Sequence, residues 1–402
     1  MDLGSLLAAA EAAAPVAAVE AVAQALAEQL GATEVSFLIA DYSGDSLIRL
    51  AHSDHDQSPR RIGRETAERV RLKGTPHGRA LTGQSVEVLA EGDGTLLLAP
   101  VTSRGEAVGV LELCVPGVPD DETVTDVARA AHALAYIVIA NRRYTDLFEW
   151  GQRTVPLSLA AEIQHRLLPG SYTCEAGQFT LAAWLEPAGE VGGDTFDFSL
   201  DRDSLHFSMT DAMGHTVNAA LLATLLVSSM RNGRRRGASL AEQATLANGA
   251  LAEHAAGSQF VTGQLARIDL TTGTAEVVNA GHPPPLRLRG GAVQDVPLDI
   301  DPPFGVLPDT EFRTQALPLE PGDRLLFVTD GVLERLAAGV DLRAALASSA
   351  DEHPREAVQS LIQAVVDASD GKLSDDATAM CLDWHGGPPR DRTTDSGANL
   401  AP

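Results

Sequence analysis

Four acidic sites carry the chemistry open to this chain. Asp194 in EVGGDTFDF, Asp211 in HFSMTDAMGH, Asp330 in RLLFVTDGV and the Asp375–Asp376 pair in LSDDATAMCL each follow or end an apolar, strand-like run. A carboxylate at the end of a buried strand is costly unless it is paired or bound to a cation. Few basic residues lie near these sites in the sequence, so the pattern asks for a cation. Gly192, Gly193, Gly214 and Gly331 flank the acids and permit tight turns and close approach to a ligand. Oxygen ligands without a Cys or His cluster select Mg2+ or Mn2+ over Zn2+. Taken singly each motif is weak, because TDG is a common turn and DD in a loop is usually solvated. The weight lies in the joint pattern.

The acids need elements to hold them. From Gly177 the chain reads as strands (FTLAAWLEP, DTFDFSLD, SLHFSMTD), helices at 216–231 and 240–255, further strands through DRLLFVTD, helical stretches within 341–369 and a last strand ATAMCLDW. Strands in hairpin succession with interposed helices predict a layered α/β arrangement of largely antiparallel sheets. In the helix after Asp211, Ala219, Leu222, Leu226 and Met230 recur at helical spacing and form a packing face. That helix ends in RNGRRRG, which reads first as cations favourable to a helix C-terminus and second as a dock for an acidic phosphoprotein.

Upstream, residues 5–30 are strong helix formers interrupted at Pro15 and closed by Gly31. Five short runs from EVSFLIAD to AVGVLELCVPG predict an antiparallel sheet, and residues 121–168 return to helical composition. That length predicts two helices meeting near Gly151 and Pro156. His52, Asp54 and His55 read as polar loop residues in preference to a metal cluster. The expected divisions are a first α/β module over 1–145, a linker helix over 146–172, a second domain that carries the acids over 173–385 and a disordered tail over 386–402.

Composition narrows the function. Against 55 Asp plus Glu stand 30 Lys plus Arg, for a net charge of -25, which disfavours nucleic acid and anionic lipid as partners. The 44% hydrophobic content is enough to bury cores. Cys114, Cys174 and Cys381 show no C-x-x-C spacing, so neither a disulfide framework nor a zinc ribbon is expected. The Ala-rich N-terminus, broken by Glu11, Glu20 and Glu28, reads as neither signal peptide nor spanning helix, and a cytoplasmic location is expected.

Two resemblances follow. Residues 160–384, through AAEIQHRLLPG, EPAGEVGGDTFDF, FSMTDAMGHTVNAALLATLL, FVTGQLARIDLTTGTAEVVNAGHPPPLRL, LEPGDRLLFVTDGVLER and SDDAT, resemble PPM-type, protein phosphatase 2C-like serine/threonine phosphatases of the SpoIIE branch. The order of helix, sheet and long exit helix over about 150 residues resembles a GAF sensor domain, with a PAS-like module as the alternative. The first resemblance implies an αββα sandwich with two metal ions. In it Asp211 matches the bridging ligand, the Ala212 carbonyl a further ligand, Asp330 and Asp375 the ligands of one metal, and Asp194 the acid near the other. Asp375 is preferred to Asp376, and Asp197 is a lesser candidate. Where eukaryotic relatives carry a histidine two positions after the bridging acid, this chain has Met213; neither His215 nor His282 inherits that role by position.

The resemblance implies dephosphorylation of phosphoserine or phosphothreonine on a regulatory protein such as an anti-sigma factor antagonist. It further implies gating by a small-molecule or protein signal at the GAF-like module and a homodimer. The alternatives are a catalytically silent phosphoprotein-binding scaffold and a small-molecule phosphohydrolase.

Overall fold

Alternating burial along short strands builds three antiparallel sheets. The computed structural model describes residues 1–42, 44–54, 68–153, 157–187, 192–214, 217–255, 259–336, 339–369, 373 and 375–387. It divides into two units, Met1–Pro156 and Leu157–Asp391. Of the expected tail, residues 388–402 lie outside the described residues, as do His55 and His215.

The first unit begins with α1 (Leu3–Ala12) and α2 (Ala18–Leu30), divided at Pro15 and closed by Gly31 in the left-handed conformation (φ 62°). Then come β1 (Glu34–Ala40), β2 (Ser46–Asp54), β3 (Arg69–Arg71), α3 (Pro76–Gly83), β4 (Glu87–Glu91), β5 (Gly94–Ser103) and β6 (Glu106–Pro116). They form one six-stranded sheet in the order β3-β2-β1-β6-β5-β4. Side-chain period two sends Phe37, Ile39, Leu97, Leu111 and Leu113 to a face covered by α1, α2 and α4 (Asp121–Asn141). Leu38, Leu98 and Val110 point to the other face, where α3 supplies Ala80 and Leu81. The sixth strand, β3, escapes sequence reading because it is three residues long and two of them are Arg. Among the described residues α4 with the turn after it, Asp121–Tyr144, is long and apolar enough to cross a membrane; here it buries Val127, Leu134 and Val138 against the sheet.

The long helical region breaks earlier than expected. After α4 comes a 3-10 turn at Arg142–Tyr144, then α5 (Leu147–Gln152). Asn141 Nδ2 donates to the Ile137 carbonyl, and Thr145 Oγ1 accepts from Leu147 N, a local side-chain competition that ends one helix and starts the next. Gly151 lies inside α5 and is a close-approach residue: a Cβ there would sit 2.8 Å from Ile39 and Leu50 side-chain atoms.

The second unit opens with α6 (Leu159–Leu167), β7 (Thr173–Glu175), β8 (Phe179–Glu186), β9 (Asp194–Leu200) and β10 (Ser204–Ala212). Next are α7 (Val217–Arg235), α8 (Leu240–Ala255), β11 (Val261–Asp269), β12 (Ala275–Ala280), β13 (Leu286–Arg289), β14 (Ala292–Asp295), β15 (Gln315–Ala316) and β16 (Asp323–Val328). The last elements among the described residues are α9 (Asp330–Leu336), α10 (Leu342–Ser348), α11 (Pro354–Ala368) and β17 (Ala377–Trp384). One sheet has the order β15-β12-β11-β10-β9 and the other β14-β13-β16-β17-β8-β7. Phe196, Phe207 and Met209 of the first meet Leu325, Phe327, Met380 and Leu382 of the second in a shared core. The opposite face of the first sheet packs on α7 and α8, and that of the second on α10 and α11. The unit is thus built helix, sheet, sheet, helix, and its two sheets end together at the acidic residues.

Candidate metal centre

Strand register alone brings the first two acids face to face. Asp194 opens β9 and Asp211 lies near the end of β10, and the antiparallel ladder makes them direct partners. Both lie in phase with the inter-sheet residues Phe196 and Met209, so both carboxylates enter the space between the sheets. Across that space the second sheet contributes Asp330, in the first turn of α9 just after β16, and Asp375, just before β17.

The electrostatics record the crowding. Burial, and then the charges of Asp330 and Asp375 and a hydrogen bond shared with Asp330, push the Asp211 carboxyl up to about 8. Burial, followed by Asp211 and Asp376, raises Asp194 well above the usual carboxylate range, against the opposing pull of two threonine hydroxyls. Like charges gathered in a desolvated end of a fold call for a cation. Hard carboxylate oxygens and a backbone carbonyl suit Mg2+ or Mn2+. By donor chemistry the residues therefore fit the expected ions, although among the described residues no three of these side chains already converge on one ion position.

Ala212 is buried at the end of β10, with its carbonyl oxygen beside Gly193. A Cβ on Gly193 would lie 2.6 Å from that oxygen, so only glycine lets the two strands close up here. Ala212 N donates to the Gly193 carbonyl at 3.2 Å.

The two members of the Asp375–Asp376 pair have different surroundings. Asp376 is buried, and its Oδ2 accepts from Gln164 Nε2 at 2.6 Å and Gly193 N at 3.1 Å. Asp375 is partly exposed, acts on Asp211, and its Oδ1 accepts from Asp376 N at 2.8 Å. Gln164 Nε2 also donates to the Asp194 carbonyl at 2.8 Å, so α6 is tied into the acidic corner by one side chain. Gln164 lies within AAEIQHRLLPG, where no local pattern marks the side chain for a role.

Asp197 does not join the cluster. Three residues along β9 from Asp194, it lies on the opposite face, where Arg231 (2.8 Å) and Arg234 (3.1 Å) bind it. Arg231 Nη2 also donates to the Leu167 carbonyl at the end of α6 at 2.6 Å. Half of the RNGRRRG run is therefore absorbed in holding α6 and α7 together; Arg235 and Arg236 stay exposed.

His282 is buried, with Nδ1 3.0 Å from Thr262 Oγ1 and its backbone N donating to Asn279 Oδ1 at 2.9 Å. Thr262 is the cross-strand partner of Asp211. Burial lowers the imidazole to about 4, outweighing the Val328 carbonyl beside it. Met213, 39% exposed, follows Ala212 at the rim of the site.

The helix–sheet–sheet–helix unit with an acidic cluster at one end of its two sheets has the layering that the sequence resemblance implied. Residues 201–385 match the family model of Stage II sporulation protein E (SpoIIE). Asp194 falls outside that match and is placed in the site by geometry. Protein IcfG of Synechocystis sp. is 27% identical over 212 residues, covering 46% of this chain and 33% of that protein. Phosphoserine phosphatase RsbP of Bacillus subtilis is 26% identical over 192 residues, covering 45% of this chain and 46% of that protein. Among solved structures, the RsbU and RsbW domains of a Mycobacterium tuberculosis protein are 25% identical, with a TM-score of 0.48, covering 54% of this chain and 63% of that one. The chain thus spans a third to a half of the length of these two curated relatives.

Proposed function

We propose that the chain is a metal-dependent protein serine/threonine phosphatase that hydrolyses phosphoserine or phosphothreonine on a regulatory protein. The observation that carries this reading is the acidic cluster, from buried Asp194 through half-buried Asp211 and Asp375 to exposed Asp330, in which the groups that most perturb Asp211, after burial itself, are all carboxylates. Asp211, the Ala212 carbonyl, Asp330, Asp375 and Asp194 would together hold the Mg2+ or Mn2+. Bound there, divalent ions acidify a water and offset charge on the phosphoryl oxygens.

The chain's own groups do the holding. Asp375 is preferred as ligand because it is partly exposed beside Asp211, whereas Asp376 is buried. His282, buried and with its imidazole lowered to about 4, braces the strands through Thr262 and Asn279. The match to SpoIIE and a relative named as a phosphoserine phosphatase support the substrate class. An anti-sigma factor antagonist is the proposed kind of partner.

The first unit, a six-stranded sheet with helices on both faces, supports the reading of a GAF-like sensor. The signal would reach the site through α6, whose Gln164 holds both Asp376 and the Asp194 backbone. We read the protein as a cytoplasmic homodimer.

The test is hydrolysis of an aryl phosphate with added Mn2+ or Mg2+. The wild-type chain should turn over only with the ion, and Asp211→Asn and Asp330→Asn should each lose on the order of 100-fold or more. Metal-independent turnover, or full activity in both variants, removes the reading.

A further inference from the structure

Where the shared core of the second unit reaches the acidic corner, its apolar rows end in hydroxyls. Leu325, Phe327 and then Thr329 point between the sheets from β16 and the residue after it. Thr378, Met380 and Leu382 do so from β17. Opposite them, in phase with Phe196, lies Asp194.

Both hydroxyls reach one oxygen. Thr329 Oγ1 donates to Asp194 Oδ2 at 2.8 Å, and Thr378 Oγ1 donates to the same atom at 2.6 Å. Thr378 N donates to Thr329 Oγ1 at 3.1 Å, which fixes the first hydroxyl's direction. Both threonines are fully buried, and Asp194 is 3% exposed. Valine would fill the same volume, so hydroxyls at these two positions point to a polar task; unbonded, each would cost free energy. With Oδ2 held by two donors from different strands, the carboxylate cannot turn without losing both. Oδ1 receives no hydrogen bond from a described residue.

We propose that Thr329 and Thr378 are positioning residues for the divalent cation: they immobilise Asp194 with Oδ2 occupied and Oδ1 left for the ion. The inference rests on the metal-dependent reading above. It explains why a buried carboxylate among other carboxylates holds one conformation before an ion arrives, since the two hydroxyl dipoles offset part of its charge. It also explains the sequence placement. Thr329 adjoins Asp330 and Thr378 follows Asp376 by two residues, so the same clamp sets both second-sheet acids relative to Asp194. Hydrogen bonds to a metal ligand of this kind change metal affinity by about 10- to 100-fold.

The experiment is calorimetric titration of Mn2+ into the full chain, with circular dichroism to verify folding. The double variant Thr329→Val/Thr378→Val should bind Mn2+ about 10- to 100-fold more weakly, whereas Thr329→Ser/Thr378→Ser should stay within about threefold of wild type. Equal affinity of the valine variant and wild type overturns the proposal, as does a serine variant as weak as the valine one. Should the double valine variant not fold, Thr378→Val alone decides, with weaker binding expected and unchanged binding fatal. A wild-type chain that binds no Mn2+ overturns the metal-dependent reading and, with it, this proposal.

Discussion

The two units bury charge in opposite ways. In the first, Glu112 on β6 is met by Arg49 Nη1 at 2.7 Å and His77 Nε2 at 2.9 Å, and Arg49 Nε reaches Glu68 at 2.9 Å. Burial would raise Glu112, but the hydrogen bonds from His77 and Arg49 outweigh it and hold its carboxyl below the usual range. In the second unit Asp194 and Asp211 face other carboxylates, and both are raised. The first arrangement is complete within the fold. The second is stable only to the extent that something from outside supplies positive charge, which is the physical signature of a site.

The sign of the pH dependence follows from this contrast. A carboxyl whose folded value exceeds the roughly 3.9 of an unfolded Asp destabilises the fold when ionised. For Asp211 the stability is fully present below about pH 4 and is lost as pH rises through about 8. Glu112 works the other way, stabilising above its unfolded value and ceasing to do so as pH falls through its lowered one. The largest effect should therefore be seen in chelator-treated protein. The melting temperature of the second unit should fall between pH 5 and 8, Asp211→Asn should raise it by about 5 °C at pH 8, and Mn2+ should reverse the fall in wild type. A flat profile in the metal-free protein would erase the contrast between the units.

A smaller effect is expected on the other side. Glu112→Gln leaves Arg49 and His77 without their shared carboxylate and should cost the first unit about 1–2 kcal/mol in denaturant unfolding, discounted for partial exposure. Its Mn2+ affinity should equal wild type, and a change there would show that the two charge systems are not independent. The smallest effect belongs to charges neither buried nor compensated. Arg235→Ala and Arg236→Ala should each stay within about 0.5 kcal/mol of wild type, because both side chains are exposed at the end of α7. A larger loss would mean that the basic run does more structural work than Arg231 and Arg234 account for.

Which acids were chemically interesting was legible in the sequence. Asp194, Asp211, Asp330 and Asp375 beside strand-like runs, with glycines next to most of them, are local patterns, and each lies at or within three residues of a strand end. The helix interruption at Pro15 and the stop at Gly31 were equally local. The break after Asn141 was hidden because it depends on one side chain turning back onto its own helix.

What tertiary structure decided was who faces whom. Asp197 and Asp194 sit three residues apart in one motif, yet one meets arginines from α7 and the other meets threonines from the second sheet. Asp375 and Asp376 are adjacent, yet the second is taken by Gln164, 212 residues away in the chain. No local pattern encodes such contacts, because strand pairing and sheet stacking join segments whose separation the side-chain period does not record. The sequence by itself determined a set of carboxylates and a net charge of -25. Folding sorted that set into acids answered by the protein and acids that await a cation, because only burial against specific neighbours makes the difference cost free energy.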